Sequence, residues 1–323
     1  MARTRAYRNG SLVAENFDLE LVSDYLEDPD SLVWVDVCAP DQQELHALAE
    51  ELSLHRLALE DAVTERQRPK LDRYETHLFI TAYEVDLDVA TGRLSTDEVA
   101  VFVTRQALVT VRKTADFRID HVVRRWDESP DLAKLGVSFL LHGLLDHVVD
   151  SYFEAVQALD EEIEGLEDLL FDDRPRDVEV QRRSFELRKS LVLLRRVVVP
   201  MREVVNAIMR RDLKVVGDEM TPYYQDVYDH VLRATEWTES LRDLVTTILE
   251  TNLTIQGNRL NSIMKKVTSW AAVIAVPTAI TGFYGQNVPY PGYGQQLGFW
   301  TSSLLTAVGS VTLYTVFRRK DWI

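Results

Sequence analysis

The chain has 323 residues, and its 52 Asp and Glu residues outnumber its 36 Lys and Arg residues, which gives a formal net charge of −16. This acidic balance argues against nucleic acid as the partner, because nucleic-acid-binding domains present clusters of basic residues. An ordinary solvated cytosolic domain carries a similar charge, so charge alone excludes little else. The single cysteine, Cys38, agrees with a reducing compartment.

Strand and helix signals alternate in the N-terminal third of the chain. Runs of β-branched and apolar residues predict four strands, and an amphipathic pattern predicts a helix between the first two. A polar segment at 88–92 predicts a hairpin turn. The predicted strands are 32–37, 78–85, 98–103 and 108–111, and the predicted helix is 42–52.

Three long helical segments are predicted after about residue 115. The first two, 138–171 and 176–199, form a hairpin that turns near Pro175. The third begins at Pro222, a residue suited to the first helical position, with Thr221 as its N-cap.

Little interrupts the third helix before Tyr284. The exceptions are Gly257 and Pro277, and proline is tolerated inside an apolar span. The helix is therefore predicted to exceed 60 residues, or roughly 90 Å at 1.5 Å per residue. A helix of this length needs neighbours that bury its apolar stripe, and a symmetric bundle supplies them.

Two uncharged stretches near the C-terminus, 267–286 and 297–317, are each long enough to span a hydrocarbon core of about 30 Å. Lys265 and Lys266 precede the first stretch, a basic cluster at 318–320 follows the second, and no Lys or Arg lies between them. This distribution predicts that both termini are cytoplasmic. The sequence thus predicts a multi-pass protein of the cytoplasmic membrane, with the lipid bilayer as a partner.

These signals divide the chain into seven parts. They are a cytoplasmic α/β domain (1–135), a cytoplasmic helical hairpin (136–221), a stalk helix (222–266), a first transmembrane helix (267–286), an external loop (287–296), a second transmembrane helix (297–317) and a basic cytoplasmic tail (318–323).

One face of the long helix, read at a spacing of three and four residues, changes from acidic to small and hydroxyl-bearing side chains. Small and weakly polar residues in a membrane helix indicate either tight helix packing or the lining of a narrow, water-filled pore. The spacing leaves both interpretations open. The stripe comprises Glu250, Leu253, Gly257, Asn261, Met264, Thr268, Ala271, Ala275, Thr278 and Gly282.

The end of the first span carries a more specific signal. Its residues resemble the signature of the CorA family of divalent-cation transporters, with Gly-Gln-Asn where the family has Gly-Met-Asn. Three further segments, 57–62, 67–74 and 225–230, resemble family segments in the expected order, so the resemblance covers nearly the whole chain. The signature residues are Tyr284, Gly285, Gln286 and Asn287.

The resemblance implies an α+β membrane protein that assembles as a homopentameric funnel. Each subunit has an N-terminal α/β/α cytoplasmic domain, a long stalk helix continuous with the pore-lining first transmembrane helix, and a second transmembrane helix outside it. The implied cargo is hydrated Mg²⁺, with Co²⁺ and Ni²⁺ as further ions. Asn287, with the carbonyl groups of Tyr284 and Gly285, would hold the hydrated cation at the external mouth, where oxygen donors suit magnesium.

The resemblance also implies roles along the pore. Asn261 and Thr278 match polar rings, Met264 with Val267 matches a hydrophobic constriction, and Glu250 matches an acidic ring in the funnel. An apolar ring can close a pore by dewetting. Ordinary helix packing for Met264 and a solvated helix face for Glu250 remain alternatives.

Regulation by cytoplasmic divalent cations is implied as well, through carboxylates that meet between subunits. A cation between such carboxylates screens their repulsion and holds the subunits together. Taken singly, each is an ordinary surface acid. The matching residues are Glu60, Asp61, Asp146 and Asp226.

Two departures from the family pattern leave the identity of the transported ion open. Gln286 replaces the signature Met, and the external loop has no Asp or Glu. A Zn²⁺ transporter of the same superfamily and a non-conducting, membrane-tethered cation sensor are the alternatives. An enzyme is not expected, because the seven His residues form no metalloprotease spacing and the chain has no phosphate loop or nucleophile elbow.

Overall fold

The computed structural model describes residues 2–64, 67–171, 177–210, 213 and 215–323, with the backbone only for Pro130. The chain divides into two compact units, Met1–Ile248 and Leu249–Ile323. Each unit is described by itself below.

The first unit is built on a seven-stranded mixed sheet. The strands lie in the order β2-β1-β3-β7-β6-β5-β4, and β3 pairs with β7 in parallel while the other neighbours are antiparallel. The strands are β1 (Arg3–Arg8), β2 (Ser11–Glu15), β3 (Ser31–Cys38), β4 (Lys70–Arg73), β5 (Leu78–Asp88), β6 (Arg93–Val103) and β7 (Ala107–Arg112).

Nine α-helices are present in the described residues of the whole chain, and the long ones follow the sheet. They are α1 (Val22–Leu26), α2 (Gln42–Leu52), α3 (Arg56–Val63), α4 (Ile119–Asp127), α5 (Pro130–Ala133), α6 (Val137–Leu170), α7 (Asp177–Ile208), α8 (Thr221–Tyr284) and α9 (Gln296–Arg319).

Helices cover both faces of the sheet, as the alternation of side chains along β3 shows. Val33 and Val35 belong to a buried core with residues of α2 and α3. Trp34 points to the opposite face, since neighbouring strand residues alternate, and its ring meets that of Trp126 in α4 edge to face, with centroids 5.1 Å apart. The predicted α/β/α architecture is therefore confirmed.

Buried side-chain hydrogen bonds fix the long helices to the sheet. Ser151 Oγ of α6 accepts from the amide of Val85, 3.1 Å away. Ser190 Oγ of α7 accepts from the amide of Leu94 at 3.1 Å and donates to a carbonyl in the hairpin between β5 and β6. These bonds satisfy polar groups that burial would otherwise make costly.

A buried charge lies between the sheet and α6. The carboxylate of Glu84 accepts from the backbone amide of Arg118 at 2.8 Å and from its guanidinium, and His147 Nε2 is 3.3 Å away. Burial alone would raise the pKa of Glu84, but the hydrogen bonds from His147 and Arg118 outweigh it and hold the pKa below its ordinary value. His147 therefore lies buried against the Glu84 carboxylate.

The predicted strands and the helix at 42–52 are all present, and the strands extend beyond the predicted bounds. Several elements had not been predicted from the sequence: β1, β2 and β4 among the strands, and the short helices α1, α3, α4 and α5. The hairpin turn between β5 and β6 lies where it was predicted.

Two helix boundaries differ from the prediction. α7 continues past Pro200 to Ile208, because the apolar face that includes Met201 and Val205 stays buried there. α8 begins at Thr221, whose hydroxyl donates to the carbonyl oxygen of Gly217 at 3.2 Å, so its predicted role as N-cap is wrong. The turn predicted near Pro175 lies outside the described residues.

Candidate pore and cation sites

The second unit contains the C-terminal part of α8, a connecting segment and α9. Within the described residues, α8 is the one helix that is long enough and apolar enough to cross a bilayer, and 6% of its most apolar window is buried. α9 has 24 residues, and several of them are Ser and Thr. Its predicted role as a second span stays a prediction.

α9 packs against one side of α8. The Cβ of an alanine at Gly309 in α9 would lie 2.9 Å from Val276 Cγ1, so glycine allows this close approach. Trp270 and Tyr314 form a further ring contact, with centroids 6.3 Å apart. Ser269 is fully buried on α8.

The predicted stripe lies on the other side of α8. Successive residues of an α-helix are about 100° apart, so Ala271, Ala275 and Thr278 lie roughly opposite the side formed by Ser269 and Val276. Apart from the half-buried Gly257, every residue of the stripe is exposed in the single chain. No part of the chain's own second unit covers this face.

The two positions of the predicted constriction are strongly exposed, at 65% for Met264 and 64% for Val267. Asn261 is exposed as well. Thr278 Oγ1 donates its proton to the carbonyl oxygen of Ile274 at 3.0 Å, which leaves the hydroxyl lone pairs available as acceptors. The pore-lining roles of these residues remain predictions.

The signature residues begin at the C-terminus of α8. Tyr284 is the last helical residue, and the amide of Gly285 still donates to the carbonyl oxygen of Thr281 at 2.8 Å. Gln286 and Asn287 follow with exposed side chains. The Tyr284 carbonyl oxygen accepts a hydrogen bond from the hydroxyl of Tyr290, 3.0 Å away.

Three threonine hydroxyls of α9 bond within their own helix, whereas the buried Ser310 Oγ has no hydrogen-bond partner among the described residues. Thr301 Oγ1 donates to the carbonyl oxygen of Leu297 at 2.8 Å, and Thr306 Oγ1 donates to that of Ser302 at the same distance. Thr315 Oγ1 donates to the carbonyl oxygen of Thr312 at 2.9 Å.

The first unit contains a cluster that could hold a metal ion. Asp146 and Asp150 of α6 and His230 of α8 each offer one ligand atom, and these atoms lie within 4.8 Å of one another. All three side chains are half-buried. Carboxylate and imidazole donors suit divalent metals, and the imidazole favours Co²⁺, Ni²⁺ or Zn²⁺ more than Mg²⁺.

Arg125 of α4 already contacts both carboxylates of this cluster. Its Nη1 is 3.1 Å from Asp146 Oδ2, and its Nη2 is 2.9 Å from Asp150 Oδ2. Burial raises the pKa of Asp146, and the charge of Asp150 adds to this, while Arg125 acts in the opposite direction. A bound cation would compete with Arg125 for the same oxygens.

Of the four predicted regulatory carboxylates, the structure brings only Asp146 into this cluster. Asp226 lies beside it, with Oδ1 3.8 Å from His230 Nε2. Asp61 is paired with Lys70 at 2.6 Å, and Glu60 is exposed. A meeting of these carboxylates between subunits stays a prediction.

Sequence reasoning missed Asp150 and His230. Each stands four residues after a predicted ligand, Asp146 or Asp226, and therefore lies on the same face of its helix. That spacing was the available signal. It did not reveal that α6 and α8 bring the two faces together.

Comparison with known proteins supplies the family. The model of the family described as "CorA-like Mg2+ transporter protein" matches residues 29–319. The chain belongs to this family. The predicted resemblance is thereby confirmed, and the match covers the α/β domain from residue 29 onward, the long helix and the segment that carries Asn287.

Individual CorA relatives match over nearly their whole lengths. The cobalt/magnesium transport protein CorA of Thermotoga maritima is 28% identical over 95% of this chain and 87% of its own length. The putative metal ion transporter YfjQ of Bacillus subtilis is 30% identical over 92% of each chain. The complete structure of the CorA magnesium transporter from Methanocaldococcus jannaschii matches with a TM-score of 0.78 at 24% identity, over 100% of this chain and 99% of that one.

Proposed function

We propose that the protein transports hydrated divalent cations across the cytoplasmic membrane, with Mg²⁺ as the main cargo and Co²⁺ and Ni²⁺ as further ions. The observation that carries this proposal is the face of α8 that is exposed among the described residues of the chain. It bears small, hydroxyl and amide side chains and leads to the oxygen-rich end of α8 at Tyr284 and Asn287. A soluble helix would bury such a face or carry charges on it.

In a homopentamer, with both termini of each subunit in the cytoplasm, neighbouring copies of α8 would cover this face. Five copies of α8 around one axis would turn the stripe inward, and the exposed Met264 and Val267 side chains would then form an apolar ring. Such a ring closes a narrow pore when water leaves it. Polar rings from Asn261 and Thr278 would pass a hydrated ion from one site to the next.

At the external mouth, Asn287 would address the water shell of the cation together with the carbonyl oxygens of Tyr284 and Gly285. Magnesium gives up its water reluctantly, so amide and carbonyl oxygens that contact an intact shell suit it. Gln286 adds one more amide oxygen close to this position.

Cytoplasmic cations would control the pore. Asp146, Asp150 and His230 supply a cation-binding cluster within one chain, and Glu60, Asp61 and Asp226 supply carboxylates for neighbouring subunits. Loss of the bound cation would loosen the ring and open the pore. Asp226→Lys places a fixed positive charge at this carboxylate position. We expect the variant to transport at internal Mg²⁺ levels that inhibit the wild type. Unchanged inhibition would contradict the regulatory role of Asp226.

The deciding experiment is metal flux into liposomes that contain the purified protein, with Mg²⁺, Co²⁺, Ni²⁺ and Zn²⁺ compared one at a time. Mg²⁺ entry that disappears in Asn287→Ala, with unchanged oligomer size on gel filtration, supports the proposal. Mg²⁺ entry that survives in Asn287→Ala contradicts the assigned mouth.

Zn²⁺ transport is the second candidate, and Gln286 in place of the family's Met favours it. Entry of Zn²⁺ without Mg²⁺ would select it. The absence of flux for every ion would instead indicate a membrane-tethered cation sensor that uses the Asp146 cluster.

A further inference from the structure

The carbonyl group of Tyr284 receives a hydrogen bond that the backbone cannot supply. The last four carbonyl groups of an α-helix have no amide partner within the helix. In α8, those of Thr281 and Phe283 accept from the amides of Gly285 and Gln286, at 2.8 and 3.3 Å. The carbonyl oxygen of Tyr284 instead accepts from the side-chain hydroxyl of Tyr290 at 3.0 Å.

Aromatic contacts hold Tyr290 in place from two sides. Its ring meets that of Tyr284 edge to face, with centroids 5.0 Å apart. It also meets the ring of Tyr293 at 5.3 Å, and the amide of Tyr293 donates to the carbonyl oxygen of Tyr290 at 2.9 Å. Edge-to-face pairs are favourable without any hydroxyl, so the ring contacts and the hydroxyl bond can be tested separately.

The segment between α8 and α9, which carries Tyr290, packs closely against the start of α9. Gly292 has a φ of +91°, a conformation that side chains disfavour. An added Cβ at Gly298 would lie 2.5 Å from the Gly292 carbonyl oxygen. The amide of Gln295 donates to that same oxygen at 3.1 Å. A glycine at 298 is therefore required for the backbones to approach this closely.

We propose that Tyr290 is a positioning residue of the cation mouth, whose hydroxyl fixes the direction of the Tyr284 carbonyl group. This inference rests on the proposed transport function. A carbonyl oxygen has two lone pairs, so the bond from Tyr290 leaves one free for a water molecule of the hydrated cation. The Gly292–Gly298 contact keeps the turn that carries Tyr290 in register with α9.

The test uses the full-length protein in liposomes and measures Mg²⁺ flux over a range of external Mg²⁺. Tyr290→Phe keeps the ring and removes the hydroxyl, and we expect the half-saturating Mg²⁺ concentration to rise roughly threefold to tenfold, as loss of one hydrogen bond predicts. The maximal flux and oligomer size should change little. Tyr293→Phe, which keeps the ring contacts of the same cluster, is the matched control and should match the wild type.

A second variant tests the same bond from the start of α9; if Tyr290→Phe assembles poorly, Gly298→Ala alone is compared with the wild type, and an unchanged half-saturating concentration would overturn the inference. Gly298→Ala should push the Gly292 turn away and raise the half-saturating concentration in the same direction. If both variants act through the Tyr290–Tyr284 bond, the double variant will show less than the product of the two single effects. Equal half-saturation in the wild type and Tyr290→Phe, or fully multiplicative effects, would overturn the inference.

The role of Tyr290 and the transport function can be disproved by different results. If Asn287→Ala abolishes flux while Tyr290→Phe behaves like Tyr293→Phe, the transport function stands and the role of Tyr290 is wrong. If the wild type carries no cation or Asn287→Ala carries it unchanged, the mouth itself is wrong, and the role of Tyr290 falls with it.

Discussion

The two units of this chain differ in how many of their large apolar side chains are exposed. Among the described residues, 12 large hydrophobic side chains are exposed in the 248 residues of Met1–Ile248, and 18 are exposed in the 75 residues of Leu249–Ile323. The first unit buries its core within one chain. The second unit exposes many of its large apolar side chains, as the proposed membrane-spanning assembly predicts.

The two units also differ in how their polar and charged side chains are paired. In the first unit, buried ionic groups find partners in the same chain, such as Asp36, which accepts from Arg112 at 2.6 Å. In the second unit, the amide side chains of Asn261 and Asn287 are exposed. The first unit therefore buries its core and pairs its buried charges within one chain, whereas the second unit exposes both apolar and polar side chains. The predictions below test this division.

The largest expected effect concerns His77 in the first unit. It is 4% exposed and stacks on Tyr74, with ring centroids 4.9 Å apart, and burial with the nearby His55 lowers its pKa to about 4. Between pH 6.5 and 4 the unfolded chain binds a proton at His77 that the folded chain does not. The free energy of unfolding should therefore fall as pH drops through this window, by on the order of 3 kcal/mol.

His77→Phe removes this titration and keeps a ring in the stack. Thermal unfolding of the detergent-solubilised protein at pH 7 and at pH 4.5 would measure the difference. The variant should lose less stability on acidification than the wild type, while His46→Phe, at an exposed position of α2, should lose as much. An identical pH response for wild type and His77→Phe would contradict the prediction.

Gly143→Ala should destabilise the first unit by about 2 kcal/mol, because the new Cβ would lie 2.6 Å from Trp126 Nε1 in a packed core. Gly165→Ala on the same helix, α6, is the matched control, since its Cβ would meet nothing within 4 Å. That control should be neutral or slightly stabilising. Urea unfolding followed by tryptophan fluorescence would distinguish the two variants.

Asp150→Asn should weaken Co²⁺ binding to the Asp146 cluster by about tenfold, as removal of a charged ligand predicts. Arg125→Gln should strengthen it, because Arg125 holds both carboxylates in the absence of metal. Titration calorimetry with Co²⁺ would measure both changes. Equal affinities in all three proteins would remove this cluster from the regulatory proposal.

The smallest expected effect lies in the second unit. Met264→Asn should raise flux at high internal Mg²⁺ by roughly fivefold, equivalent to about 1 kcal/mol, because a polar ring wets more readily than an apolar one. The unfolding midpoint should not change, since Met264 is 65% exposed in the single chain. Ile263→Asn, one residue away and off the stripe, should leave flux unaltered.

Local sequence predicted the elements whose pattern is complete within a few residues. The alternation around Trp34 and the spacing in α2 depend on near neighbours, and both were predicted. β1 was missed because Arg5 looks like a surface residue. It is in fact 7% exposed, and its guanidinium bonds Glu15 at 2.7 Å and Asp127 at 2.8 Å.

The candidate site residues also fall into two groups: those that local sequence predicts and those that depend on how the chain folds. The stripe on α8 and the signature at Asn287 could be found by spacing and motif. The contact between Asp150 and His230 depends on how two helices 80 residues apart in sequence pack, and no local pattern encodes that register. The bond from Tyr290 to Tyr284 could not be predicted either, because it depends on how the segment after α8 folds back on the end of that helix.

The threonines of α9 bear on the thermodynamics of membrane insertion. A hydropathy scale penalises each hydroxyl for leaving water. The hydroxyls of Thr301, Thr306 and Thr315 already bond to carbonyl oxygens of their own helix, and they would keep those bonds if α9 forms the predicted second span. The transfer of α9 from water to lipid should therefore cost less than its composition suggests.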